Sequence, residues 1–78
     1  MREFAIRLIC VQDVQEFVSL ATAKVYSIRV RDRYNEVNGK SFLEMFCLNF
    51  THPLTAVAEC SGDELQQLKA EMHKFLAE

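Results

Sequence analysis

Two glycines and one proline in 78 residues leave little of the composition that keeps a chain disordered or fibrous. Charge of one sign is equally scarce, because nine basic and eleven acidic side chains give a formal net charge of −2. This excludes the broad basic field with which general binders of nucleic acid or anionic membrane gather their partners. Cysteine is sparse and odd in number: Cys10, Cys47 and Cys60 show no CxxC spacing and stand in apolar or strand-like runs. They are expected to be reduced core thiols in a cytoplasmic protein. A long hydrophobic run is missing too, since the apolar stretch after Met1-Arg2-Glu3-Phe4 is broken at Arg7, so neither a signal peptide nor a membrane span is expected. What is present is 50% apolar and 26% charged residues, the composition of one small globular domain spanning 1–78. A single core of this size supplies only about 3–5 kcal/mol, so each buried Phe, Leu or Val matters.

Along the chain the apolar period alternates between two and helical spacing. From Glu3 to Ile9, Phe4, Ile6 and Leu8 fall on one side and Glu3, Ala5 and Arg7 on the other, which predicts a half-buried strand. Val11, Val14, Phe17, Val18 and Ala21 then recur at three- and four-residue steps, predicting an amphipathic helix that ends near Lys24. Alternation returns over Val25–Arg31, and a polar turn at Asp32-Arg33 leads to a short strand around Tyr34–Val37, so these two strands form a hairpin. Ser41 is placed to cap a short helix carrying Phe42, Met45, Phe46 and Leu48. Asn49–Pro53 reads as a loop and Leu54–Cys60 as a strand, although its alanines are poor strand formers. Ser61-Gly62-Asp63-Glu64 matches a capping box, and Leu65, Leu68, Met72, Phe75 and Leu76 form the stripe of a closing helix. Strands with one apolar face and helices with one apolar stripe are satisfied together when the helices cover one side of an antiparallel sheet, a two-layer α+β sandwich.

The segment Val37-Asn38-Gly39-Lys40-Ser41-Phe42-Leu43 resembles the regulatory-site segment of the HPr (histidine-containing phosphocarrier) family of the sugar phosphotransferase system. Val18-Ser19-Leu20-Ala21-Thr22 resembles the end of that family's first helix, and Leu48 falls where the family closes its short second helix, so the likeness covers nearly the whole chain. The resemblance implies an open-faced sandwich of order βαββαβα, with a four-stranded antiparallel sheet and its helices on one face. It also implies a phosphate-accepting histidine in a Gly-x-His-x-Arg-Pro loop at the start of the first helix, where helix N–H groups and an arginine hold the phosphoryl group. None of that loop is present in Leu8-Ile9-Cys10-Val11-Gln12-Asp13. Ungapped counting back from Ser41 sets Cys10 at the histidine position; a shortened loop is the other alignment. Imidazole suits reversible phosphoryl carriage because its nitrogen is a good nucleophile near neutral pH. Only Arg7 stands near Cys10 in sequence to activate its thiol, so an inert thiol is expected.

The resemblance further makes Ser41 the serine that a dedicated kinase phosphorylates in many members, beside its local role as a helix cap. Glu44 stands where the family usually has a glycine, and its carboxylate would repel a phosphoserine. Lys40, Phe42, Leu43, Met45 and Phe46 are the expected partner-binding residues, since the short helix carries more aromatic and apolar surface than packing requires. His52 and His73 have no second ligand at metal spacing and read as solvated. Arg29, Arg31, Arg33 and Lys40 form either a solvated face or a local positive patch for an acidic partner. The sequence therefore points to a non-enzymatic protein-binding or regulatory module, without cofactor or metal, that engages protein partners such as phosphotransferase-system components or a regulatory kinase. Two further readings are a phosphocarrier using another acceptor and an unrelated small α+β ligand-binding domain; no catalytic set or Gly-rich phosphate loop supports the latter.

Overall fold

The computed structural model describes residues 2–77. In chain order the elements are β1 (Arg2–Ile6), α1 (Val11–Thr22), β2 (Ile28–Arg31), β3 (Glu36–Asn38), α2 (Phe42–Met45), β4 (Leu54–Ala58) and α3 (Gly62–Glu71), closed by a 3-10 turn at His73–Phe75. The strands make one four-stranded antiparallel sheet in the order β1-β4-β2-β3. No helix among the described residues is long and apolar enough to cross a membrane.

The register explains why one face is dry and the other wet. Phe4, Ala56, Val30 and Val37 are paired in a row across all the strands, and all are buried. One position along, Ala5, Thr55, Arg31 and Glu36 form the opposite face. There Arg31 reaches Glu3 at 2.9 Å and Glu36 at 3.9 Å, while Arg29 reaches Glu36 at 3.0 Å. Period-two side-chain alternation is sufficient to separate these two rows. The alanines that weaken β4 as a strand former lie where the helices come down: Ala56 and Ala58 are fully buried in the interior strand. Small side chains there leave room for Phe17 of α1 and for Leu68, Met72 and Phe75 near the end of the chain. Phe17 and Phe75 meet edge to face with centroids 6.5 Å apart, the arrangement favoured by the aromatic quadrupole. The outer edge of β1 is not left open. Arg7 N–H donates to the Phe75 carbonyl at 2.7 Å and Ala77 N–H to the Ala5 carbonyl at 2.9 Å, so the C-terminal segment covers this edge.

Several expected boundaries move, each for a local reason. The first strand stops at Ile6, not Ile9, where its partner β4 begins at Leu54, although Leu8 remains buried. The second begins at Ile28, not Val25; Lys24 N–H closes the preceding helix onto Ala21 and Val25 is 96% exposed. The third is displaced from Tyr34–Val37 to Glu36–Asn38, since the Asp32 carboxylate accepts the N–H groups of Tyr34 and Asn35 and holds residues 32–35 as a turn. The expectation of core thiols is corrected: Cys10 and Cys47 are exposed and Cys60 is half-buried. Cys10 and Cys47 belong to the turns bordering α1 and α2, where the helical stripe has no claim on them.

Candidate functional site

The approach to α2 is built from local hydrogen bonds. Asn38 leaves β3 with its Oδ1 accepting from Lys40 N–H at 2.9 Å and its carbonyl accepting from Ser41 N–H at 3.0 Å. Between them Gly39 is buried, and its N–H donates to the Ile28 carbonyl at 2.8 Å. Ser41 then takes an extended conformation and its Oγ accepts from Glu44 N–H at 3.3 Å, so it is the helix N-cap. The Glu44 carboxylate turns back to accept from Asn38 N–H at 3.1 Å, which locks the cap to the strand. Lys40 is half-buried, and its Nζ donates to the Lys24 carbonyl at 2.7 Å just beyond α1.

The helix that follows is too short to present a full stripe, so its side chains divide by position. Met45 is fully buried, which removes it from the expected partner-binding set: it points into the core with Leu48. Phe42 packs at the border of the core, while Leu43 and Phe46 are 81% and 45% exposed. Phe42, Phe46 and Phe50 form a ladder of edge-to-face rings, with centroids 4.9 Å and 6.3 Å apart. Across from this ladder lies the start of α1, where Ile9 and Val11 are 80% and 55% exposed. Between the two runs an open groove of about 190 Å³, lined by Ile9, Cys10, Val11, Val14, Phe46 and Phe50. Ile9 N–H donates to the Asp13 carboxylate at 3.0 Å, which fixes the entry to the helix and the outward direction of Ile9. An apolar surface of this kind, joined across two elements, is characteristic of an interaction site.

The sequence pattern located one half of this surface and missed the other. Ile9 was expected to end a strand and Val11 to lie on the buried stripe of α1. The signal for their exposure is the run Ile9-Cys10-Val11 at a strand-to-helix junction, where alternating and helical periods cannot both be satisfied. No imidazole stands there: His73 is exposed in the final 3-10 turn, and His52 lines a separate cavity. Cys60 lies away from the groove at the end of β4, and its thiol pKa is pushed up by burial and by the Glu64 carboxylate. Of the expected positive patch, Arg29 and Arg31 are paired with Glu36 and Glu3, Lys40 is bound to a carbonyl, and Arg33 forms no ion pair among the described residues. Among the described residues no group of three or more His, Cys, Asp and Glu side chains is arranged to hold a metal ion.

No protein-family model and no curated protein matches this chain.

Proposed function

We propose that the chain is an HPr-like domain that docks a protein partner through the surface joining α2 to the start of α1, and that it does not carry phosphate on histidine. The apolar groove beside Phe46 and Phe50 carries this reading, because it brings the exposed face of α2 together with the junction where the resembled family keeps its phosphorylated loop. The run of elements, strand-helix-strand-strand-helix-strand-helix, and the Asn38-Gly39-Lys40-Ser41 turn before α2 support it. Replacing the imidazole by Ile9-Cys10-Val11 exchanges a reactive, polar junction for an apolar one, which favours contact over phosphoryl chemistry. Ser41 is the regulatory arm of the proposal. A phosphate on its Oγ would add about −1.5 to −2 charge at a position that now accepts the Glu44 N–H, and would meet the Glu44 carboxylate as a like charge. A cytoplasmic setting belongs to the same proposal.

The test is a heteronuclear NMR titration with purified Enzyme I, and separately with the serine kinase of the phosphotransferase system. Saturable shifts confined to residues 9–14, 42–46 and 50 are expected, with no phosphate appearing on the chain when phosphoenolpyruvate is added with Enzyme I. Absence of binding to either protein would overturn the reading. The exposed Cys10 favours one specific alternative, a thiol acceptor at the start of α1. Transferable phosphate that disappears in Cys10→Ser would establish that alternative in its place.

A further inference from the structure

The turn after β2 and the loop before β4 are welded together, and the joint leaves a cavity. Asp32 Oδ1 accepts from Tyr34 N–H at 2.8 Å and Asn35 N–H at 2.7 Å, while Oδ2 accepts from Asn49 N–H at 2.8 Å. The loop is stiffened from within, because Asn49 Oδ1 accepts both Thr51 N–H at 3.0 Å and Thr51 Oγ1–H at 2.6 Å. Between these fixed walls lies a cavity of about 260 Å³ lined by Asp32, Arg33, Tyr34, Asn49, His52 and Pro53. It is a different place from the apolar groove, and no residue lines both.

The chemistry of the lining is that of a site for an anion. Arg33 forms no ion pair among the described residues, unlike Arg29 and Arg31 on the neighbouring strand. His52 brings an imidazole N–H donor and Asn49 a carboxamide that is already oriented by Thr51. The one acid in the cavity wall, Asp32, accepts three main-chain N–H groups, which lower its carboxyl pKa and keep it ionised. Asp32 keeps its negative charge, but both carboxylate oxygens are occupied by main-chain donors and it forms no ion pair with Arg33, so the guanidinium is left for a ligand. Tyr34, 83% exposed, and Pro53 supply flat apolar surface beside the donors. A cavity lined by a guanidinium, an imidazole and an aromatic ring suits a phosphate or carboxylate carried on a small organic body. The volume is at the small end of ligand sites and admits only a compact molecule.

We infer that this cavity binds a small organic phosphate or carboxylate, with Arg33 and His52 holding the anionic group and Tyr34 and Pro53 flanking the body. Phenyl phosphate, titrated into the isotopically labelled chain and followed by NMR, tests it, with inorganic phosphate and phenol as separate arms. Saturable shifts are expected at residues 32–35 and 49–53 with phenyl phosphate. Arg33→Gln is expected to weaken that binding by about tenfold, the loss of one charge-assisted hydrogen bond, and His52→Gln is expected to weaken it as well. Inorganic phosphate is expected to bind at the same residues more weakly, and phenol alone not to saturate them. No saturation with phenyl phosphate, or binding unchanged in both variants, would overturn the inference; so would phenol binding as tightly as phenyl phosphate. Both replaced side chains are exposed, so the variants remain folded. Failure here leaves the docking reading standing, because residues 9–14 and 42–46 take no part in the cavity.

Discussion

The main-chain N–H of Asn49 donates to Oδ2 of Asp32 at 2.8 Å across seventeen positions of sequence, and the other carboxylate oxygen of Asp32 holds its own turn. One side chain thus sets both the start of the β2–β3 connection and the position of the loop that returns the chain to the centre of the sheet. Such bonds favour the charged carboxylate, so the folded-state pKa lies below that of the unfolded chain.

The sign of the pH dependence follows from that depression. Asp32 stabilises the fold fully above the ordinary aspartate value of about 4, and the contribution is lost as pH falls through the lower folded value. Asp32→Asn keeps an acceptor at one position but places an amide N–H₂ at the other, facing the Asn49 N–H. The variant is expected to have a lower Tm than the parent at neutral pH, with the gap closing as the solution is acidified. Thermal unfolding followed by circular dichroism across the acid range checks it. A gap that stays constant with pH would show that the carboxylate charge is not what holds the joint.

Gly39 is expected to resist any side chain. Its backbone is not left-handed, and the requirement comes from proximity: a β-carbon would stand 3.0 Å from the Ile28 carbonyl oxygen and 3.2 Å from methyl carbons of Ile28 and Val30. That carbonyl already accepts the Gly39 N–H at 2.8 Å, so it cannot withdraw without losing a hydrogen bond. Gly39→Ala is expected to destabilise the domain by about 1–3 kcal/mol, the range for overpacking a filled interior. Urea denaturation measures it, and an unchanged midpoint would mean that the turn relaxes without cost.

The cap of α3 is expected to contribute independently of the core. Ser61 Oγ accepts from Glu64 N–H at 3.2 Å and the Glu64 carboxylate accepts from Ser61 N–H at 2.9 Å, a reciprocal pair. Ser61→Ala is expected to lower stability by about 1 kcal/mol. Faster amide exchange through the first turn of α3, with the sheet amides changed only by the global loss, is the measurement that separates a cap from a core effect.

The difference between this cap and the Asp32 joint shows which parts of the molecule were legible beforehand. Ser61 and Glu64 are three residues apart, so their relationship is written locally, as is the spacing of Val14, Phe17 and Ala21 that buries one side of α1. The α+β layering followed from such local periods. Asp32 meets Asn49 only after the chain has made a strand and a helix, and no pattern around Asp32 names that partner. The start of β2 failed for the same reason. Val25 and Tyr26 alternate like strand residues, yet the nearest cross-strand bonds are those at Ser27 and Ile28, which receive Glu59 and Gly39 N–H groups. At the candidate site the excess of apolar residues in Phe42–Phe46 was visible, but dividing it between core and surface required the helical register. Val11 was assigned to the interior because it fits the helical period, and Ile9 was placed only at the end of the first strand, so neither was read as part of a partner surface.

That division within α2 is directly testable with two residues of similar character. Met45 is fully buried against Val37, Leu48 and the rest of the core cluster, whereas Leu43 is 81% exposed. Met45→Ala removes packed atoms and leaves a void, and is expected to cost about 2–5 kcal/mol, comparable with the whole contribution available from a core of this size. Leu43→Asp removes no buried surface and is expected to change stability by no more than about 0.5 kcal/mol. The same change puts a charge on the face proposed to meet a partner, where desolvating it opposes docking. Chemical denaturation of both variants, paired with the Enzyme I and kinase titrations, therefore separates folding from recognition: Leu43→Asp should unfold like the parent and bind at least about tenfold more weakly. Parent-like binding by a folded Leu43→Asp variant would take Leu43 out of the docking surface and confine contact to the groove between Phe46 and the start of α1.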